Sequence, residues 1–367
     1  MLRGNLLNSD VLKIIRIFII GLTFLCLITV RGMELREAHQ FIYMLGTIVL
    51  FGLLLRNIWL TLFLWWAVFS YSFFKFNFGH IYLSNIFYGS VLYFLTKLSF
   101  EKKHIDHFVT GCLWLTALNL IYMFIQGLGY DFLYDNVYNK MMGFMANPGI
   151  IGMFLALMIP FVMSRNLWAG LLMYIPLGMT IGRFNWLASA VFLMFFLYHK
   201  LSKKIWIIVL CIGILLGGVY VYKKPIHDER FTMWQLALKD CFHHPITGWG
   251  MDTFRNYTEQ KAFIYAITPQ ENVKDKTYVS WWDNPHNLFI SIIFEFGIIP
   301  ILLLIGYLHS LTKKFKRSIK EPNTIALAGF ILSFMLISMG HFPIFLARLA
   351  VLIIPSFALL EIQMEDV

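Results

Sequence analysis

The chemistry available to this chain rests on one histidine, His286, and three arginines, Arg183, Arg230 and Arg348. His286 stands in Trp281-Trp282-Asp283-Asn284-Pro285-His286-Asn287-Leu288-Phe289, where a long polar segment gives way to an apolar run from Asn287 to Leu308. A reactive imidazole there sits where lipid meets water. Asn284-Pro285 reads as the cap and first residue of the helix that follows, and Asn147-Pro148 repeats that grammar. The unpaired N–H groups of a helix N-terminus suit an anion, and their field holds a nearby imidazole neutral, the form that accepts a proton. From Arg230 to Phe242, Phe231, Trp234, Ala237, Leu238 and Cys241 share one side of a predicted helix, while Thr232, Gln235 and Lys239 share the other. At about 100° per residue Arg230 projects into the middle of the apolar face, at the end where the macrodipole disfavours a cation. A buried anionic partner explains it, and a diphosphate has the geometry that a guanidinium fork matches. The alternative is an arginine that snorkels or pairs with Asp228 or Glu229.

The elements that must position these groups are membrane helices. Hydrophobic residues make up 59% of the 367 and charged residues 14%, with a mean hydropathy of +0.69, which excludes a soluble globular protein. The apolar runs lack the alternation of a membrane barrel, so the fold class is all-α: a polytopic membrane helix bundle with a long helical extracytoplasmic loop. About twelve spans are predicted, near 11–30, 41–55, 58–74, 81–100, 108–129, 148–163, 167–181, 184–198, 205–222, 286–308, 323–340 and 343–361. The first carries Lys13 and Arg16 at its start and no small-residue cleavage pattern after it, and reads as an uncleaved anchor. The expected organisation is one membrane domain over 1–367 with an outer loop at 223–285.

Charge gives the orientation. The net charge of +10 is scattered over connectors without the basic and aromatic stripe of a nucleic-acid surface. Lys97, Lys102, Lys103, Arg165, Lys200, Lys203, Lys204 and the run from Lys313 to Lys320 fall on alternate short connectors, which the positive-inside rule makes cytoplasmic along with both termini. The opposite short connectors hold only Arg31, Arg36, Lys75, Lys140 and Arg183, and the long loop faces outward with them. Cys26, Cys112 and Cys211 lie in spans and Cys241 is alone in the loop, so neither a disulfide framework nor a thiolate metal site is expected.

After the loop helix, His243-His244-Pro245-Ile246-Thr247-Gly248-Trp249-Gly250 stops the helix with two glycines that free the backbone for a tight turn. Asn147-Pro148, Arg183, Arg230 with Trp234, Pro245 to Gly250, and Pro285-His286-Asn287 with Glu295 and Gly297 follow one another in an order that resembles the O-antigen ligase family, which includes related polysaccharide polymerases. The resemblance covers roughly 147–300. This chain departs from the family pattern at Gly182 and Phe184, which flank Arg183 where small hydroxyl-bearing and small residues are usual. The resemblance implies a glycosyltransferase of the bacterial cytoplasmic membrane that needs no metal or other cofactor. It would take a glycan from a polyprenyl (undecaprenyl) diphosphate carrier on the outer face and pass it to a sugar hydroxyl: of the lipid A-core in a ligase, or of another carrier-linked unit in a polymerase.

The residues suit that chemistry. Negative charge grows on the departing diphosphate, and fixed arginines at 183, 230 and 348 would lower the barrier. Arg183 lies in an outer connector, and Arg348 lies about one and a half turns inside the last span, where snorkelling is the other reading. His286 would take the acceptor proton as the hydroxyl attacks opposite the leaving diphosphate, inverting the anomeric centre. Asn147, Asn284, Asn287, Glu295 and His341 are expected to support the site. Glu295 is read two and a half turns into the helix headed by His286, hydrogen-bonded to a neighbouring helix. Trp249, Trp281 and Trp282 offer faces to sugar rings, though tryptophan at a membrane interface is ordinary. No set of His, Asp and Glu has metal-ligand spacing. The competing class, a transporter or flippase for a lipid-linked anion, lacks paired broken helices in two halves.

Overall fold

The structure is a computed structural model that describes residues 9–27, 92–131, 141–145, 147–180, 182–200, 229–249, 285–318, 321–341, 343 and 346–365, together with 89, 202, 207, 253, 254 and 257. Among these every regular element is helical: α1 (Ser9–Leu27), α2 (Ile105–Gly127), α3 (Pro148–Arg165), α4 (Leu167–Leu172), α5 (Tyr174–Gly178), α6 (Arg183–Lys200), α7 (Glu229–Cys241), α8 (Leu288–Phe296), α9 (Ile299–Ser318), α10 (Pro322–Ile337) and α11 (Ala347–Gln363), with single 3₁₀ turns before α2 and α3. Two of them, the helix through Lys102–Gly127 and α3, are long and apolar enough to cross a membrane. The spans predicted at 41–55 and 58–74, that at 205–222 except for residue 207, and Trp281, Trp282, Asn284 and Gly250 lie outside the described residues.

Two predicted spans are broken. The run 167–181 divides into α4 and α5 around Met173. Pro176 has no N–H to return to Leu172, so the ladder of hydrogen bonds cannot run through. The run 286–308 divides at Gly297, whose φ of 78° takes the chain out of the helix, and Pro300 again lacks a donor just beyond it. Among the described residues, α1, α2, α3, α6, α10 and α11 begin and end within a few residues of the expected runs, because hydropathy and caps mark them. Asn147 caps α3 as its sequence predicts, its Oδ1 accepting from the N–H groups of Gly149 at 2.7 Å and Ile150 at 3.2 Å, with Pro148 in the first turn.

The helices fall into two compact units. The first comprises 1–189, 313–335 and 343–367, and its polar contacts sort to two ends. At one, Arg165 closing α3 pairs with Asp106 of α2 and donates to Asn323 of α10 at 2.8 Å, Lys102 meets Glu321 at 3.2 Å, and Lys97 meets Glu361 of α11 at 3.0 Å. At the other, Asn119 and Gln126, spaced to share a face of α2, grip the turn before α3. Gln126 Oε1 accepts from Met142 and Gly143 N–H, both at 2.8 Å, and Asn119 Oδ1 from Phe144 N–H at 3.1 Å. Buried carbonyl-side amides of this kind satisfy backbone donors that an apolar surround would otherwise leave costly.

The second unit, 190–312 with 336–342, contains α7, α8 and most of α9. Met233, Ala237 and Cys241 on α7 pack on Ile290 and Phe294 of α8, with Phe254 completing the cluster. Phe254 and Tyr257 both close on the Phe294 ring, at 5.2 and 4.9 Å between centroids. Burial, helped by Asp240, raises the Cys241 thiol to about 11, so this cysteine is an inert filler of the core.

Candidate functional site

In the second unit three chain segments meet at the start of α8. Arg230 continues the buried face of α7 one turn above Met233, as its position in the sequence predicts, and its Nη1 donates to the carbonyl of Gly340 at 3.2 Å. One turn further along α7, Trp234 Nε1 donates to Pro285 O at 2.6 Å. Asn287 then fastens the third segment: its Nδ2 donates to Met339 O at 2.8 Å, and the following N–H, of Leu288, donates to Ser338 O at 2.9 Å. The α10 terminus at 338–340 is thus held from both sides, so that Arg230 adjoins the segments that carry His286 and His341. All three side chains are half-buried.

The helix does not begin where the sequence suggests. Asn287, not Asn284, is the cap: its Oδ1 accepts from Phe289 N–H at 3.0 Å and Ile290 N–H at 3.1 Å, and α8 starts at Leu288. Two asparagines stand within four residues, and Asn287 takes the role because its amide also reaches Met339. Pro285 and His286 therefore precede the helix. His286 has φ 48°, and among the described residues it is the one non-glycine in the left-handed region. Such a conformation persists where flanking contacts fix it, here the Trp234 bond to Pro285 on one side and the Asn287 cap on the other, and strain of this kind gathers at functional sites.

The turn between α7 and α8 locks the other end of α8. Ile298 N–H donates to Pro245 O at 2.9 Å and Trp249 N–H to Phe294 O at 2.8 Å. Gly248, at φ 68°, lies directly on the Glu295 carbonyl, and Gly297 lies on the Ile246 carbonyl, so a Cβ at either would collide with backbone. The glycines are needed for close approach as much as for turn conformation. Glu295, 4% exposed, belongs to the last turn of α8 and not to the interior of a long span. Trp249 lies parallel to Phe294 at 6.1 Å with His244 edge-on at 4.5 Å, and its Nε1 donates to Asp240 O at 3.1 Å.

Arg183, Arg348 and Asn147 belong to the first unit. Arg183 is the first residue of α6, not part of a connector, and is exposed. The α6 and α3 starts adjoin: the fully buried Asn185 points Nδ2 at Gly149 O, 3.4 Å away. A Cβ on residue 182 would strike that amide, which accounts for the glycine before Arg183. Arg348 is the second residue of α11, in its first turn and not deep in a span. Sequence reasoning passed over Asn185, Asn119 and Gln126; their signal was an amide inside a run otherwise apolar.

Residues 140–305 match the family model described as O-antigen ligase. Over this stretch the chain is similar to the O-antigen ligase family. The ligase match takes in Asn147, Arg183, Arg230, Trp249, His286, Asn287 and Glu295, and leaves His341 and Arg348 outside it. The O-antigen ligase family consists of bacterial inner-membrane proteins of polysaccharide and lipopolysaccharide synthesis, acting on lipid-linked glycans and their acceptors. Comparison with curated proteins finds no match to the chain.

Proposed function

We propose that this protein transfers a glycan from a polyprenyl diphosphate carrier to a sugar hydroxyl at the outer face of the cytoplasmic membrane, as an O-antigen ligase. The observation that carries the proposal is the meeting at the start of α8 of the chain segments that hold Arg230, His286 and His341, joined by the bonds to Gly340, Met339 and Pro285. It supplies a guanidinium for a diphosphate, and imidazoles for a proton, at one helix N-terminus.

In the reaction the acceptor oxygen forms a bond to the anomeric carbon, and the bond from that carbon to the diphosphate breaks with its electron pair going to the diphosphate. His286 takes the hydroxyl proton, and the attack opposite the leaving group inverts the centre. Arg230 stabilises the charge that grows on the diphosphate, so that the chemistry requires no metal. Asn287 and Trp234 act through His286 by fixing its backbone. The orientation is supported by the first unit. Lys97, Lys102 and Arg165, which the charge rule places inside, pair with Glu361, Glu321 and Asp106 at the end of the unit opposite to Asn147 and Arg183.

Ligase and polymerase share this chemistry and differ in the acceptor. The glycolipids of a strain lacking the protein separate them. A ligase predicts lipid A-core without its polymer while carrier-linked polymer accumulates, and single repeat units in place of polymer would make the protein a polymerase. An unchanged profile would remove both.

A further inference from the structure

The apolar residues of α7 do not share one buried side, as the sequence predicts; they divide into two faces. Met233, Ala237 and Cys241 enter the core, whereas Phe231, Leu238 and Phe242 are left outside, Phe242 at 81% exposure. At about 100° per residue these three form a stripe that adjoins the buried face on one flank, with Lys239 and Asp240 further round. The stripe continues past the helix end to Ile246, which is 60% exposed. Free in water, so much large apolar surface costs about 25 cal/mol per Å².

What covers it follows from its continuation. Ile246 rests on Gly297, and Ile298 N–H bonds to Pro245, so the stripe runs directly into the outward face of α9. That face carries Ile298, Ile299, Leu302, Leu303 and Ile305, all exposed, in a helix apolar from Ile299 to Leu308. In an inner-membrane protein it meets acyl chains. An amphipathic helix with aromatic and leucine side chains on one flank and lysine on another is built to lie in the plane of the interface. We infer that α7 lies in the outer leaflet's interface, with Phe231, Leu238, Phe242 and Ile246 sunk among the lipids as a continuation of the α9 face. The placement goes beyond the transfer reaction and does not depend on it.

The test is nitroxide accessibility in lipid nanodiscs. Single cysteines are placed at 231, 238, 242 and 246, with 303 as the lipid reference and 239 as the aqueous one, in a chain whose four native cysteines are replaced by alanine. Relaxation by oxygen is expected to exceed relaxation by a water-soluble nickel complex at 238 and 242, as at 303, with the order reversed at 239. These two positions decide. If both follow 239, the stripe faces water and the inference is overturned. Protection of both from either reagent overturns it too, since another part of the protein would then cover the stripe.

Discussion

His286→Asn is expected to lose roughly 10²- to 10⁴-fold in transfer rate, the contribution of a positioned general base, while carrier-linked donor still binds. Asparagine is the informative replacement because of the backbone. Residue 286 sits at φ 48°, which asparagine tolerates nearly as well as histidine, so the cap at Asn287 and the Trp234 bond to Pro285 survive the change. The new side chain cannot take up a proton at neutral pH. His286→Ala should be as inactive and also less stable, since alanine pays more for the left-handed conformation. Rates within a few-fold of wild type for purified His286→Asn would mean that another group, His341 or the departing diphosphate, receives the proton. Parallel loss of donor binding would move His286 to the diphosphate site.

Arg230→Lys is expected to lower transfer roughly 10- to 100-fold, on the scale of about 1.5–3 kcal/mol for a hydrogen bond to a charged group. Lysine keeps the charge and loses the fork, so a bidentate diphosphate contact is broken while a simple Coulomb attraction is preserved. It also gives up the bond that ties the α10 terminus at Gly340 to α7, which would displace His341. The two effects separate in the kinetics: a weakened diphosphate contact lowers kcat with the leaving-group charge, and a displaced segment lowers thermal stability as well. Near-normal turnover would reduce Arg230 to a snorkelling or structural cation.

How far the sequence reaches is plain from particular residues. Asn147-Pro148 is a local signal, and the cap it spells is the one found, because cap chemistry involves only the next few residues. The apolar lengths of α2 and α3 are equally local. The left-handed His286 and the choice of Asn287 over Asn284 depend on carbonyls at 338–340, some fifty residues away, and no local pattern encodes them. The break at Gly297 has a local permission, a glycine and then Pro300, but the cause is the docking of Pro245 and Ile246, which is tertiary. Hydrophobicity locates the apolar side of α7 without distinguishing a side chain that packs on protein from one that faces lipid, since both exclude water, so the sequence puts Phe231 and Leu238 together with Ala237 and Cys241. Arg230 was legible because a cation in an apolar face violates every local preference at once.

The most direct measurement is reconstitution of the purified wild-type protein in liposomes with a polyprenyl diphosphate-linked glycan and a sugar acceptor. Free polyprenyl diphosphate and the new glycoside should form in equal amounts, with the anomeric configuration opposite to that of the donor. If donor crosses the bilayer while no glycosidic bond forms, the protein is a transporter and the account is contradicted. A product that retains the donor configuration would contradict direct attack by the acceptor, and with it the role of His286 as its base.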